Sequence, residues 1–386
     1  MSRVVVLTPS LPLPFGAADA RWLCALLPEL VKRGHEVLCL SCTEESAEAV
    51  QRAELVAGEC GFAFRHVPFV LSETTLQRKL QSLVHPHSEF ARIGELRRVL
   101  DQECARGWDV LHVEHLYSAW ATRDLPRAVT YLHFLGDVDW AGRRDLTVNE
   151  RIERIQLGRV ARQLIGSSQP LIAMTERLAT EVALHGGALP PVVPIALDMA
   201  RYQLQPFVAE PVLGVIGSMH WYPSRAAAER VIGLWPQIRE RVPDATLKVA
   251  GWGSEQYLGR HFPMSGAELV GTVDDPESFF GQIALLVYPP PQGTGMKIKV
   301  MEAFAYGVPV LSNAEGLEGL GVRDGVEAVI AETDAEIVDR AATMLADAER
   351  RHGVRLVARR LVEDELTIAR SVDRLLLAYE GFGLAP

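Results

Sequence analysis

The chain has 386 residues, enough for two ordinary domains, and its 48% hydrophobic content can fill sizeable cores. A formal charge of -10 argues against a nucleic-acid binder, whose lysines and arginines gather over a phosphate-facing surface, so an anionic ligand must be held by local positive groups. No run approaches the roughly 18 apolar residues that a membrane span needs, and Met1-Ser-Arg-Val-Val-Val-Leu-Thr8 reads as a first strand instead of a signal peptide, which points to the cytoplasm.

In chain order, a strand at Arg3 to Thr8, a glycine-bearing loop from Pro9 to Gly16 and a helix from about Ala18 to Arg33 make a βαβ opening. Gly34 stops that helix before the strand His35 to Leu40. Apolar runs at Val110 to Val113, Ala128 to Leu132 and Pro170 to Met174 read as buried parallel strands separated by helical stretches, so the half is Rossmann-like. Five cysteines include one close pair, Cys39 and Cys42, which a strand turns to opposite faces; buried packing is expected for all five. Arg143, Arg144, Arg151, Arg154, Arg159 and Arg162 form a basic helical stretch. It suits a solvated face paired to Glu150 and Glu153, and also a peripheral contact with anionic lipid at an inner membrane surface.

Prolines at 190, 191, 194, 206 and 211 mark a linker, with the domain boundary expected at 205/206. The second half repeats the alternation: strand Val212 to Gly217, helix Ser224 to Val242, strands Ala245 to Ala250, Leu269 to Val270 and Ile283 to Tyr288, then strand Val308 to Ser312. It runs to about 365, and residues 366–386 are expected to return as a helix bracing the N-terminal domain. The fold class is therefore α/β, with two Rossmann-like domains whose sheet edges face a cleft, a natural place for a reaction between two separately bound substrates.

The most informative stretch is Gly293-Thr294-Gly295-Met296-Lys297-Ile298-Lys299-Val300-Met301-Glu302, between two strands. Glycines let backbone approach a diphosphate, a helix N-terminus presents free N–H groups at its positive dipole end, and two lysines add full charges. Glu302 is then placed to accept hydrogen bonds from hydroxyls, so the combination suits an anionic sugar nucleotide. An ordinary βαβ crossover with a glycine turn and solvated lysines fits the same local pattern.

The order of motifs resembles a glycosyltransferase of the GT-B fold, in particular a retaining enzyme of glycosyltransferase family 4. The resemblance spans nearly the whole chain: the Pro9 to Gly16 loop, Lys32-Arg33-Gly34-His35-Glu36-Val37, Val193-Pro-Ile-Ala-Leu-Asp198, the strand Val212 to Gly217 and Gly251-Trp252-Gly253. The most specific part is Lys299-Val-Met-Glu-Ala-Phe-Ala-Tyr-Gly-Val-Pro-Val310, continuing into Glu315-Gly-Leu-Glu-Gly-Leu320.

The resemblance implies transfer of a sugar, with retained configuration, from a nucleoside diphosphate donor to an acceptor that is a glycan, a lipid-linked group, a protein or a small molecule. No cofactor or metal is implied. Glu302 matches the family's ribose-binding glutamate, Lys297 and Lys299 the positive region near the diphosphate, and His133 a histidine that contacts the donor sugar. Catalytic roles fall to His133 and Lys297. Donor contacts fall to Gly16, Ser218, Gly293, Thr294, Gly295, Met296, Lys297, Lys299 and Glu302. Two departures stand out: Thr294 occupies the place of a frequent glutamate, and Ser218-Met-His-Trp-Tyr-Pro-Ser-Arg225 lacks a frequent Arg and Lys pair. Asp137 and Asp139 suit acceptor hydroxyls or loop caps. His112, Glu114 and His115 either line the acceptor side or pack at a sheet edge. A sugar-nucleotide epimerase of the same fold, or a degenerate GT-B binding or scaffold protein, would share this architecture.

Overall fold

The structure, a computed structural model, describes residues 2–14, 18–71, 77, 89–135, 148–273, 275–293 and 295–384. Two compact units emerge: Met1–Ala196 with Ile368–Pro386, and Leu197–Thr367. Each is built on a six-stranded sheet in which every strand pair is parallel.

In the first unit the strands β1 (Arg3–Thr8), β2 (Glu36–Thr43), β3 (Ala63–Pro68), β4 (Val110–Glu114), β5 (Ala128–Leu132) and β6 (Leu171–Ala173) lie in the order β3-β2-β1-β4-β5-β6. Strands β1, β4 and β5 are almost wholly buried, which explains their unbroken apolar runs: helices cover both faces of such a sheet. The helix Ala18–Lys32 buries Trp22, Leu23, Leu26, Leu27 and Leu30. Its outer side receives the C-terminal helix Ile368–Gly381. Arg33 at its end ion-pairs with Asp373 and donates to the Ala369 carbonyl at 2.9 Å, while Tyr379 reaches the interior.

The second unit holds β7 (Val212–Ile216), β8 (Thr246–Ala250), β9 (Ala267–Gly271), β10 (Leu285–Tyr288), β11 (Val310–Ser312) and β12 (Val329–Ile330) in the order β12-β11-β10-β7-β8-β9. Counted within the unit this is the same doubly wound order as the first, with the reversal of strand order falling between β7 and β10. Leu213, Val215, Leu247, Val249, Leu285 and Val287 from the sheet meet Val231, Trp235 and Ile238 of the helix Tyr222–Arg241 and Ile337, Ala341 and Met344 of the helix Asp334–Ala346. The latter starts on a capping box, Thr333 with Glu336, that satisfies otherwise free N–H groups.

The change of unit falls after Ala196, ahead of the 205/206 boundary that the prolines suggest. The reason lies on the helix Ala348–Asp364, where arginines four apart share one face. Arg351 donates to the Ala209 carbonyl at 2.6 Å, Arg355 to that of Gln205 at 2.5 Å, and Arg359 to that of Tyr202 at 2.8 Å. Three guanidinium groups thus strap residues 202–209 onto the second unit. Arg351 also caps the preceding helix at the Met344 and Leu345 carbonyls, at 2.7 and 2.6 Å.

Sequence patterning misses β3 and β12. The first is interrupted by the adjacent polar residues Arg65 and His66 at the sheet edge, and the second is two residues long. All five cysteines are free; Cys24, Cys39 and Cys42 are buried, but Cys60 and Cys104 are only partly covered, because both sit on surface helices. The helix Val148–Ile165 carries Arg151, Arg154, Arg159 and Arg162, whereas Arg143, Arg144 and the side chains of Glu150 and Glu153 lie outside the described residues. Among the described residues no helix is long and apolar enough to cross a membrane.

Arg351→Met keeps much of the side-chain volume but leaves buried carbonyls without a donor. The expected loss is about 3 kcal/mol of stability, read as a lowered urea midpoint with unchanged slope for the second unit.

Candidate active site

In open α/β sheets ligands gather outside the carboxyl ends of the strands, at the reversal of strand order. In the second unit that place is built from Gly217 and Ser218 after β7, the loop after β10, and the first turn of the helix Ile298–Tyr306. Gly217 hydrogen-bonds to the Ala250 carbonyl, and a Cβ on Gly251 (φ +123°) would lie 2.0 Å from the Gly217 oxygen, so this crossing admits only glycine. A Cβ on Gly217 would in turn lie 2.5 Å from the Lys299 Nζ and 3.0 Å from the Ser224 Oγ.

Lys299 is therefore seated against bare backbone. Its Nζ donates to the Ser224 Oγ at 2.5 Å and lies 4.3 Å from the centre of the Tyr288 ring. Burial pushes the Tyr288 phenol up to about 12, so it stays neutral beside the ammonium. Lys297 occupies the N-cap position of the helix and turns its Nζ onto the Gly295 carbonyl of its own loop. The two lysines thus serve different places, one in the helix and the other on the extended backbone before it. Gly293 and Gly295 are buried, Met296 is 6% exposed, and the Gly293 N–H donates to the Glu315 carboxylate at 3.2 Å. Glu302 is 3% exposed and accepts a hydrogen bond from the Tyr202 hydroxyl at 3.2 Å. Arg359 holds the backbone of that same Tyr202, so the arginine strap also fixes a partner of Glu302. Ser218 is half-buried beside Gly217, and His220 packs on Trp252 with ring centres 4.1 Å apart.

In the first unit the equivalent reversal lies between β1 and β4, and a polar cluster fills it. Glu114, the last residue of β4, is fully buried. Its Oε1 accepts from the Trp22 Nε1 at 3.0 Å and sits 2.9 Å from the His112 Nε2, while its Oε2 is 2.5 Å from the His133 Nε2. The Tyr379 hydroxyl is 2.7 Å from the His112 Nδ1. Beside it, His115 is held at φ +67° and bonds Asp19 through Nε2 at 3.2 Å; its ring stacks on His133 with centres 3.9 Å apart. Asp19 also accepts from the Ser10 hydroxyl.

Burial alone would raise the carboxyls of Glu114 and Asp19. The imidazoles of His133 and His112 at the first, and His115 with Ser10 at the second, outweigh it and hold both groups well below the usual carboxylate range. Burial and the neighbouring His115 push His133 below the ordinary histidine value, against the opposing pull of Glu114. At neutral pH the cluster therefore presents ionised carboxylates and an uncharged His133. A shallow groove of about 720 Å³ along Glu44, Gln51, Glu54, His66 and Phe69 opens at the carboxyl ends of β2 and β3, on the far side of β1 from this cluster.

Residues 210–347 match the sequence model of the family described as Glycosyl transferases group 1. No curated protein matches the chain. Among solved structures it is similar to Anabaena HepE in complex with UDP-glucose, with TM-score 0.69, 14% identity, and 99% of this chain and 100% of that chain covered. Sucrose-phosphate synthase from Thermosynechococcus elongatus gives TM-score 0.73 and 14% identity over 99% of each chain. A variant of S. aureus TarM, crystallised with fondaparinux, α-GlcNAc-glycerol and UDP, gives 0.71 and 8% over 98% of this chain and 100% of that one. The fold is thus that of the GT-B glycosyltransferases, and the residues that match the group 1 glycosyltransferase model lie within the second unit.

Of the residues singled out from sequence, the structure places Ser218, Gly293, Gly295, Met296 and Lys297 in loops at the carboxyl ends of β7 and β10, Lys299 and Glu302 in the first two turns of the helix Ile298–Tyr306, and His133 just after β5 in the first unit. Gly16, Thr294, Asp137 and Asp139 lie outside the described residues. Sequence reasoning missed Ser224, Tyr288 and Tyr202 around the lysine and glutamate, and Asp19, Trp22 and Tyr379 around His133. The only trace in the sequence is that Ser224 and Tyr288 flank predicted loops.

Because its folded pKa is depressed, Glu114 contributes stability that is present above the unfolded value of about 4.3 and is lost as pH falls toward the folded one. Glu114→Gln removes this dependence. Between pH 6 and about 3.5 the variant should lose about 1 kcal/mol less stability than the native protein, measured by urea unfolding at the two pH values.

Proposed function

We propose that the protein is a retaining glycosyltransferase of family 4 that transfers a sugar from a nucleoside diphosphate donor, with a UDP-sugar the first to test, to a hydroxyl acceptor. The observation that carries this reading is the Lys299 ammonium seated at the strand-order reversal of a domain matching group 1 glycosyltransferases. The complexes of HepE with UDP-glucose and of the TarM variant with UDP support uridine as the base.

Cleavage of the sugar–phosphate bond builds positive charge on the sugar and negative charge on the departing diphosphate. Lys299 and the N-terminus of the helix Ile298–Tyr306 meet that negative charge, and Lys297 joins them by turning its Nζ from the Gly295 carbonyl. These groups supply the neutralisation that a divalent metal supplies elsewhere, so turnover is expected to persist in chelator. Ser218 extends the donor side toward a phosphate oxygen, and Gly16 and Thr294 complete the set of donor contacts. Glu302, buried and aimed by the Tyr202 hydroxyl, takes the ribose hydroxyls. His133 accepts a hydrogen bond from a sugar hydroxyl. Retention follows from attack on the face that the diphosphate leaves, with a leaving-group oxygen drawing off the acceptor proton. The reaction belongs on the cytoplasmic side, and the arginines of the helix Val148–Ile165 suit a peripheral contact with anionic lipid there.

Calorimetric titration with UDP-, GDP-, ADP- and TDP-sugars, followed by nucleotide release with and without acceptors, tests the reading. Glu302→Ala should weaken nucleotide binding about 10- to 100-fold through lost hydrogen bonds. Lys299→Ala should lower turnover by about 10² to 10³. Donor consumption that ignores every acceptor would favour epimerisation, and absence of sugar-nucleotide binding would remove the reading.

A further inference from the structure

The buried network behind His133 assigns its own proton positions. Glu114 is fully buried and approached by three nitrogens: the Trp22 indole, His112 and His133. The indole nitrogen can only donate. A carboxylate has no proton to return, and between a carboxyl and an imidazole the proton rests on the imidazole, whose intrinsic pKa is about two units higher. Both histidines therefore carry hydrogen on Nε2. For His112 this leaves Nδ1 as a lone pair, and the Tyr379 hydroxyl donates into it at 2.7 Å. Donation runs one way, from Tyr379 to His112 to Glu114, and from His133 to Glu114. For His133 it leaves Nδ1 as the acceptor atom of the ring.

We propose that Glu114 is a positioning residue that locks His133 in the Nε2–H tautomer, so that the ring offers Nδ1 to a substrate hydroxyl, and that Tyr379 of the C-terminal helix enforces the lock through His112. This rests on the glycosyltransferase reading for what the hydroxyl belongs to, but not for the tautomer itself. The opposite tautomer would present an N–H and would favour a carbonyl or phosphate oxygen in the same place. The class of ligand atom that the first unit accepts is thus a hydroxyl hydrogen, as a sugar supplies.

Burial and the stacked His115 favour an uncharged His133, against the pull of the carboxylates of Glu114 and Asp19. Glu114 lies behind it on β4, His115 is stacked on its face at 3.9 Å, Asp19 reaches the far nitrogen of His115 from the helix Ala18–Lys32, and Tyr131 stands edge-on at 5.0 Å from β5. His112 and Tyr379 complete the set beyond Glu114. A second proton on His133 would place a cation against the stacked His115 ring in a desolvated site, and burial opposes it.

The test is nitrogen-15 spectroscopy of the full-length protein labelled at histidine, at pH 7, with His133→Asn and His112→Asn variants to assign the two rings. The expected result is the neutral Nε2–H pattern for His133 and a hydrogen on Nε2 of His112. Glu114→Gln should return His133 to a mixture of tautomers and lower kcat/KM at least about 10-fold, while UDP affinity stays within about 2-fold because the second unit is untouched. Tyr379→Phe, which keeps the buried ring, should shift only the His112 Nδ1 signal and lower kcat/KM by a smaller factor. An Nδ1–H or imidazolium signal for His133 in the native protein overturns the proposal even if a variant fails to fold, and so does native kcat/KM in a folded Glu114→Gln. Failure of the native protein to bind any sugar nucleotide would instead sink the transferase reading and leave the spectra to decide the lock.

Discussion

The second unit depends on fitting an ammonium group against backbone. Lys299 reaches the end of β7 only because Gly217 has no side chain, and Gly217 can lie where it does only because Gly251 lets the next loop cross it at φ +123°. The two glycines differ in what they protect. A side chain on Gly251 meets a carbonyl and has nowhere to go, whereas one on Gly217 meets the movable end of a lysine. The first glycine is therefore a requirement of the fold and the second a requirement of the charge. Ser224 and Tyr288 then fix the ammonium, one by a hydrogen bond and one by its ring face.

The same concern with fixing a few polar atoms explains the arginine strap. Residues 202–209 of the second unit have no regular structure of their own, and their carbonyls would be poorly satisfied against an apolar helix. Arg351, Arg355 and Arg359 supply the donors at helical spacing. One consequence is chemical: the strap ends at Tyr202, whose hydroxyl points at Glu302. A buried carboxylate at 3% exposure needs such partners to offset its lost hydration.

The parallel α/β class was legible because the buried strands write themselves as runs such as Val-Val-Val-Leu at β1 and Leu-Leu-Val-Tyr at β10. The loop before Glu302 was legible because glycine, lysine and a helix start are local signals. The partners of those residues were not. Ser224 lies 75 positions from Lys299, and Tyr379 lies 267 from His112, so no window of sequence contains both ends of either contact. His112 and Glu114 showed as polar residues two apart at a strand end, which alternation places on one face, but nothing local marks Trp22 or His133 as the further partners of Glu114.

The two units answer one topology with opposite electrostatics. At its strand-order reversal the second unit places a cation over glycine backbone and helix amides, an arrangement that selects negative charge in a protein whose net charge is -10. At the corresponding reversal the first unit places Glu114 and Asp19, both ionised, and covers each with an imidazole. A second anion would be repelled there, while a neutral group that donates hydrogen bonds would not. The division follows from the residues at equivalent positions of one repeated fold: an ammonium over glycine backbone in the unit that holds residues 210–347, and carboxylates under imidazoles in the other.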